Sequence, residues 1–166
     1  MFELKPLSSE AIPGALEKAQ RYRLLNEPME AESICRDVLA VEPGQQEALV
    51  TLLLALTDQL DERLQPTLEE AREVLPKIAD DYHRSYYHGI LCERQAKARW
   101  RRGGPQAGHI AYALLREAME HFGRAAGLRP PGNDDALLRW NTCVRLLARH
   151  PQLVPAPGEE AVDILE

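Results

Sequence analysis

Apolar residues recur along this chain at helical spacing, in segments that glycine and proline cut short. Over residues 9–25, Ile12, Leu16, Ala19 and Tyr22 follow at intervals of four, three and three, behind the capping signal Ser8-Ser9-Glu10. Asn26-Glu27-Pro28 predicts an N-cap with proline in the first turn. Ala31, Ile34, Cys35, Val38 and Leu39 then continue at i, i+3, i+4, i+7 and i+8. Pro43-Gly44 stops this second helix, because proline pushes Glu42 out of helical geometry and glycine gives a flexible exit. A third helix, over 45–59, buries Ala48, Leu49, Leu52, Leu53 and Leu56 on a face that Leu54 and Leu60 widen.

A fourth helix is predicted from near Pro66, carrying Ala71, Val74, Leu75, Ile78 and Ala79, with Pro76 marking a kink or a late start. The fifth, over 81–101, sets Tyr82, Tyr86, Ile90 and Leu91 on one face and ends at Gly103-Gly104-Pro105. The sixth, over 109–127, contains Ala118, His121, Phe122, Ala125 and Ala126. The seventh, over 133–149, is capped by Asn133, with Asp134 and Asp135 on its first-turn dipole and Ala136, Leu137, Trp140, Val144 and Leu147 as its core face. Residues 151–166 are interrupted by proline and glycine and predict a disordered, acidic tail. No segment alternates with period two, so the expected fold is all-α with about seven helices.

The second, fourth and sixth helices carry one pattern of offsets, starting at Ala31, Ala71 and Ala118, which marks an array of helical hairpins. In the first unit Ala19, Tyr22, Ala31 and Pro43, and in the third Ala118, Phe122, Ala125, Leu128 and Pro130, fall at the spacings of the tetratricopeptide repeat (TPR) family, which the chain resembles. The match is degenerate: the middle unit lacks the aromatic and the proline, the repeats are longer than the usual ~34 residues, and the opening Trp is missing. HEAT-like or other helical repeats and a plain helical bundle fit the same pattern. As a whole the chain is similar to small bacterial TPR-type proteins. The resemblance implies a right-handed superhelix over residues 8–150, with units 9–43, 45–80 and 81–130 and a capping helix over 133–149. It also implies a concave groove, lined by the first helix of each pair, that holds a peptide or a partner helix.

Composition narrows the functional classes. The chain has 166 residues, 45% of them hydrophobic but only 5% aromatic, so small aliphatic side chains must fill the core. Cys35, Cys92 and Cys143 are odd in number and widely spaced, without a Cys-x-x-Cys pair, and predict neither a disulfide framework nor a zinc knuckle. With no signal-peptide pattern and no apolar run near the ~18 residues of a membrane span, the expected location is the cytoplasm. The formal net charge of −6 divides into −8 over residues 1–80, +6 over 81–150 and −4 over 151–166. Acidic and basic parts can therefore meet within one chain or between chains. A specific expectation is that the tail acids Glu159, Glu160, Asp163 and Glu166 dock on the basic half.

The candidate contacts follow from these features. "DYHRSYYHG" places Tyr82, His83, Tyr86 and Tyr87 on the fifth helix, and helical phase turns Tyr82 and Tyr86 inward and leaves His83 and Tyr87 on the next face. With Gln20, Arg23, Arg94 and Arg139, the pair His83 and Tyr87 forms the predicted groove. Arg94, Lys97, Arg99, Arg101 and Arg102 surround Trp100 in a basic patch that offers an alternative function, contact with nucleic acid. The acidic net charge and the lack of an RNA-binding motif count against that alternative, and a solvated helix end stabilised by its dipole explains the patch as well. Catalysis has little support. His83, His88, His109, His121 and His150 make no His-x-x-x-His or His-Glu-x-x-His pair, and Asp80 and Asp81 beside His83 are explained by helix capping. No nucleophile elbow, P-loop or dinucleotide fingerprint is present. The sequence thus predicts a non-catalytic interaction scaffold without metal or cofactor, bound to a protein partner.

Overall fold

The computed structural model describes residues 1–158, and every regular element in them is helical. The seven α-helices are α1 (Ile12–Leu24), α2 (Pro28–Val41), α3 (Gln46–Asp58), α4 (Leu64–Val74), α5 (Asp81–Arg102), α6 (Ala107–Leu128) and α7 (Asp135–Arg149). They fall into two compact units, Met1–Asp80 and Asp81–Glu166. Among the described residues no helix is long and apolar enough to cross a membrane.

In the first unit each helix packs on the next, and α1 also touches α3. Short connections impose this, since a turn of a few residues returns the chain antiparallel to itself. Between α1 and α2, Asn26 takes a left-handed φ of 60°, so the cap position passes to Glu27 while Pro28 holds the first turn as expected. The Gln45 side chain caps α3 by accepting from the Ala48 N–H at 2.7 Å. Helix α3 is covered on almost every side: Ala48, Leu49, Leu52, Leu53, Ala55 and Leu56 are buried, and Thr51 and Thr57 with them. Pro76 acts more strongly than a kink, for α4 stops at Val74 and Leu75–Lys77 continues as a 3-10 turn. Gln46 ties this turn back to α3, donating to the Lys77 carbonyl at 3.3 Å and accepting from the Ala79 N–H at 2.9 Å.

Between α2 and α4 lies a polar cluster. Arg36 pairs with both Glu32 and Glu70, and Gln59 donates to Glu32 at 2.7 Å. Burial alone would raise the Glu32 carboxyl, but the hydrogen bonds from Gln59 and Arg36 outweigh it and hold the group below its ordinary value.

In the second unit α5 and α6 form a long hairpin on which α7 lies against α6. Gly89 lets α5 approach α6: a Cβ there would come within 2.5 Å of the Phe122 ring, which is itself fully buried. Tyr82, Ala125 and Ala136 bring the three helices together at one end of the hairpin. Asn133 does not cap α7 directly. The helix begins at Asp135, and the Asn133 Oδ1 accepts from both the Asp135 N–H at 3.0 Å and the Tyr82 hydroxyl at 3.1 Å.

The inner face of α7 is also turned from its predicted phase. Leu137 and Val144 are 37% and 44% exposed, whereas Ala136 and Cys143 are buried and Arg139, Trp140, Leu146 and Leu147 are half-buried. The helix carries two overlapping apolar stripes one residue apart, and the one that brings Arg139 inward is used. Beyond α7 the expected disorder does not begin at residue 151. Leu153 is buried, the Val154 carbonyl lies 3.0 Å from His109 Nδ1, and the Gln152 carbonyl passes so close to Gly108 that a Cβ would meet it at 2.5 Å. Leu153 supplies the apolar anchor that a count of prolines and glycines overlooks. Residues 159–166, with the acids expected to dock, lie outside the described residues.

Two outcomes are expected. Gly89→Ala should destabilise the second unit by about 1–3 kcal/mol through overpacking against Phe122, in spite of the ~1 kcal/mol that alanine gains in a free helix. Trp100 and Trp140 are the chain's two tryptophans and both lie in this unit, so urea titration followed by their fluorescence reads it directly. In the first unit, the stabilisation from Glu32 should be full above its unfolded pKa of about 4.5 and disappear as pH falls through its lower folded value. Glu32→Gln should then be less stable at pH 6 and lose less on acidification; parallel pH profiles by circular dichroism would refute this linkage.

Candidate functional site

The six predicted groove residues divide between the units. On α1, Gln20 donates to Glu47 Oε1 at 2.6 Å and Arg23 Nε to Asp58 Oδ2 at 2.8 Å, so both side chains tie α1 to α3. His83, Tyr87, Arg94 and Arg139 belong to the second unit, where α5 gathers most of the chemistry of the chain.

The rings of α5 form a connected ladder. Tyr82 stacks on Tyr86 at 6.0 Å and His83 on Tyr87 at 6.2 Å, and edge contacts at 5.2 Å (Tyr82–His83) and 5.1 Å (Tyr86–Tyr87) join the two columns. The spacing of four residues puts each column on one face of the helix. Tyr82 is buried and Tyr86 leans on Phe122, while His83 is exposed and Tyr87 half-buried. Burial also raises the Tyr86 hydroxyl pKa, against the opposing pull of Arg139. The inner column therefore anchors the outer one, which presents an imidazole and a phenol at the helix surface beside Arg84.

The predicted basic patch is less uniform than its sequence. Glu93 is fully buried, and its Oε1 receives Lys97 Nζ from the next turn and Arg139 Nη1 of α7 at 3.6 Å. Its Oε2 accepts no hydrogen bond among the described residues. Lys97 and Arg139 are thus partly committed to a buried carboxylate, Arg94 and Arg99 are half-buried, and Arg101 and Arg102 remain exposed at the end of α5. Trp100 stands 6.1 Å from the His150 ring and, with Lys97, Arg101, Leu115, Leu146 and Leu153, lines a cavity of about 250 Å³. The sequence reading missed Glu93, although it falls in phase with Tyr82, Tyr86 and Ile90: an acid on a core stripe is the signal that identifies it.

A second omission concerns metal-ligating groups. Searching for paired histidines on one helix left the five scattered, but α5 and α6 bring His88, Cys92, Glu117 and His121 together, one donor atom of each within 4.8 Å of the others. The His88 and His121 rings stack at 3.7 Å, and His88 Nε2 lies 4.0 Å from Glu117 Oε1. Cys92 is buried and Glu117 exposed. Burial first, then His88 and Arg124, lowers His121 to a pKa of about 4, so its imidazole is neutral at pH 7. Cys35 and Cys143 are fully buried and burial pushes each thiol up to about 12, which makes them inert. The overlooked signal is symmetry about the turn. His88 and Cys92 stand 16 and 12 residues before Gly104, and His121 and Glu117 stand 16 and 12 after Pro105.

No family model, curated protein or solved structure matches this chain, so its resemblance to tetratricopeptide repeats rests on the residue pattern alone.

Replacing Lys97 and Arg139 together by glutamine should leave the Glu93 carboxylate buried without a cation and cost on the order of 3–5 kcal/mol. Either single change should cost much less, because the remaining cation stays in place. Tryptophan fluorescence in urea, run on all three variants, measures the difference; equal, additive losses would show that Glu93 does not couple the two cations.

Proposed function

We propose that the protein is a non-catalytic interaction module that binds a segment of another protein on the ring-bearing face of α5. The observation carrying this reading is the stacked pair His83 and Tyr87, held at the helix surface by the Tyr82–Tyr86 column beneath it. Rings fixed in this way offer contact area with little side-chain entropy left to lose. Arg84, which is ion-paired with Asp81, and Arg94 are both half-buried on the same helix and add positive charge beside the rings, which suits a partner that combines apolar and acidic side chains, as a short peptide or helix can. On this reading Gln20 and Arg23 support α1 rather than touch the partner. The TPR-like character of the fold belongs to the same proposal, supported by the recurrence of buried residues at matching offsets: Ala31, Cys35 and Val38; Ala71, Leu75 and Ile78; Ala118, Phe122 and Ala125. We also place the protein in the cytoplasm, on the strength of three buried cysteines, none of them in a disulfide.

The nucleic-acid alternative is less well supported, because Lys97 is engaged by Glu93 at the centre of the basic patch.

Photo-crosslinking from position 87 in the source cells should capture a discrete protein partner. His83→Ala/Tyr87→Ala should reduce its affinity at least tenfold while the circular dichroism and thermal midpoint stay unchanged, as expected when contact rings rather than core residues are removed. Undiminished binding by that double variant would exclude this face. Binding to RNA near 150 mM salt that vanishes when Arg94, Lys97, Arg99, Arg101 and Arg102 become glutamine would favour the alternative instead.

A further inference from the structure

We propose that His88, Cys92, Glu117 and His121 bind one divalent transition-metal ion, zinc by preference, which clamps α5 to α6. Each helix contributes two donors one turn apart, His88 with Cys92 and Glu117 with His121, so each pair projects from a single face. Equal distances from the Gly104-Pro105 turn put the two pairs opposite each other in the hairpin, and their donor atoms converge within 4.8 Å. A tetrahedral zinc site with bonds of about 2.0–2.3 Å has edges of roughly 3.3–3.8 Å. The donors therefore need to close by about 1 Å, which rotation of the imidazoles and of the Glu117 side chain supplies without moving either helix backbone.

The donor chemistry selects the ion. Two neutral imidazoles, one thiolate and one carboxylate make a mixed nitrogen, sulfur and oxygen set, which suits zinc and its spectroscopic stand-in cobalt(II), whereas magnesium and calcium require oxygen throughout. On binding, the Cys92 S–H bond is exchanged for a sulfur–metal bond and the proton leaves to solvent. Thiolate and Glu117 carboxylate then balance the double positive charge beside the buried Ala118 and Met119, so the loaded site is neutral. Cys92 is buried and Glu117 exposed, which makes Glu117 the side of entry. Four protein donors close the coordination shell, and a closed shell holds structure together. The inference does not depend on the partner-binding face.

The full chain, freed of metal by a chelator, is titrated with cobalt(II). The expected result is one ion per chain, with intense visible d–d absorption of a tetrahedral site and a thiolate-to-cobalt charge-transfer band in the near ultraviolet, both abolished by equimolar zinc. Zinc should also raise the thermal midpoint of the second unit, because it binds the folded state. Cys92→Ser should lose the charge-transfer band and His121→Gln should weaken cobalt at least tenfold, while Cys35→Ala/Cys143→Ala keeps the spectrum. Cadmium-113 resonance of the unaltered chain gives a reading independent of any variant, with a shift corresponding to one sulfur donor. A chain folded by circular dichroism that shows no d–d absorption at saturating cobalt would overturn the proposal, and so would a spectrum unchanged in both Cys92→Ser and His121→Gln.

Discussion

The distance between α5 and α6 is set by a ring resting on a backbone. Phe122 occupies the space that any side chain at position 89 would need, and the two helices come as close as the flat face of the phenyl group allows. Much of the second unit follows from this contact. The residues on either side of Gly89 are carried towards α6 with it, so that His88 reaches His121 and Cys92 enters the interior. A wider pair of helices would leave these groups as separate surface side chains. Phe122 also touches Tyr86, and so the same ring that spaces the helices supports the aromatic ladder on α5. In a protein with few aromatic residues, one phenylalanine thus serves packing, spacing and the support of neighbouring rings.

Charge follows a comparable logic. Residues 81–150 carry a surplus of arginine and lysine, and a surplus of one sign invites an interpretation as a binding surface. Part of the surplus is consumed inside the unit. Glu93 has no access to water, and a carboxylate in that position is tolerated only when cations are brought to it. Lys97 comes from one turn along α5 and Arg139 from α7, so the ion cluster also decides which stripe of α7 faces inward.

Much of the architecture was legible in the sequence, because helical spacing and the proline and glycine stops are local properties. The start of α5 and the ends of α5 and α7 fall within a residue of their predicted positions, and Tyr82 and Tyr86 turn inward as their phase requires. What was not legible depends on partners distant in the chain. Leu137 and Val144 looked like core because they are apolar, but Arg139 had to turn inward to meet Glu93, 46 residues earlier. The His88, Cys92, Glu117 and His121 cluster is invisible to motif spacing on a single helix and emerges when α5 is folded back on α6. Asn133, taken for a plain cap, proved to divide its oxygen between the start of α7 and Tyr82.

The return of the chain after α7 changes where the second unit ends. Leu153 fills a cavity wall beside Trp100, and the Gln152 carbonyl lies against Gly108 at the first turn of α6. By secondary structure the unit would be cut at Arg149; packing carries it at least as far as Val154, whose carbonyl meets His109. The last helix is consequently fastened at both of its ends, by Asn133 before it and by five residues of irregular chain after it. An excised fragment that stops with the helix would lose the second fastening, and its loosened α7 would be a property of the cut rather than of the protein.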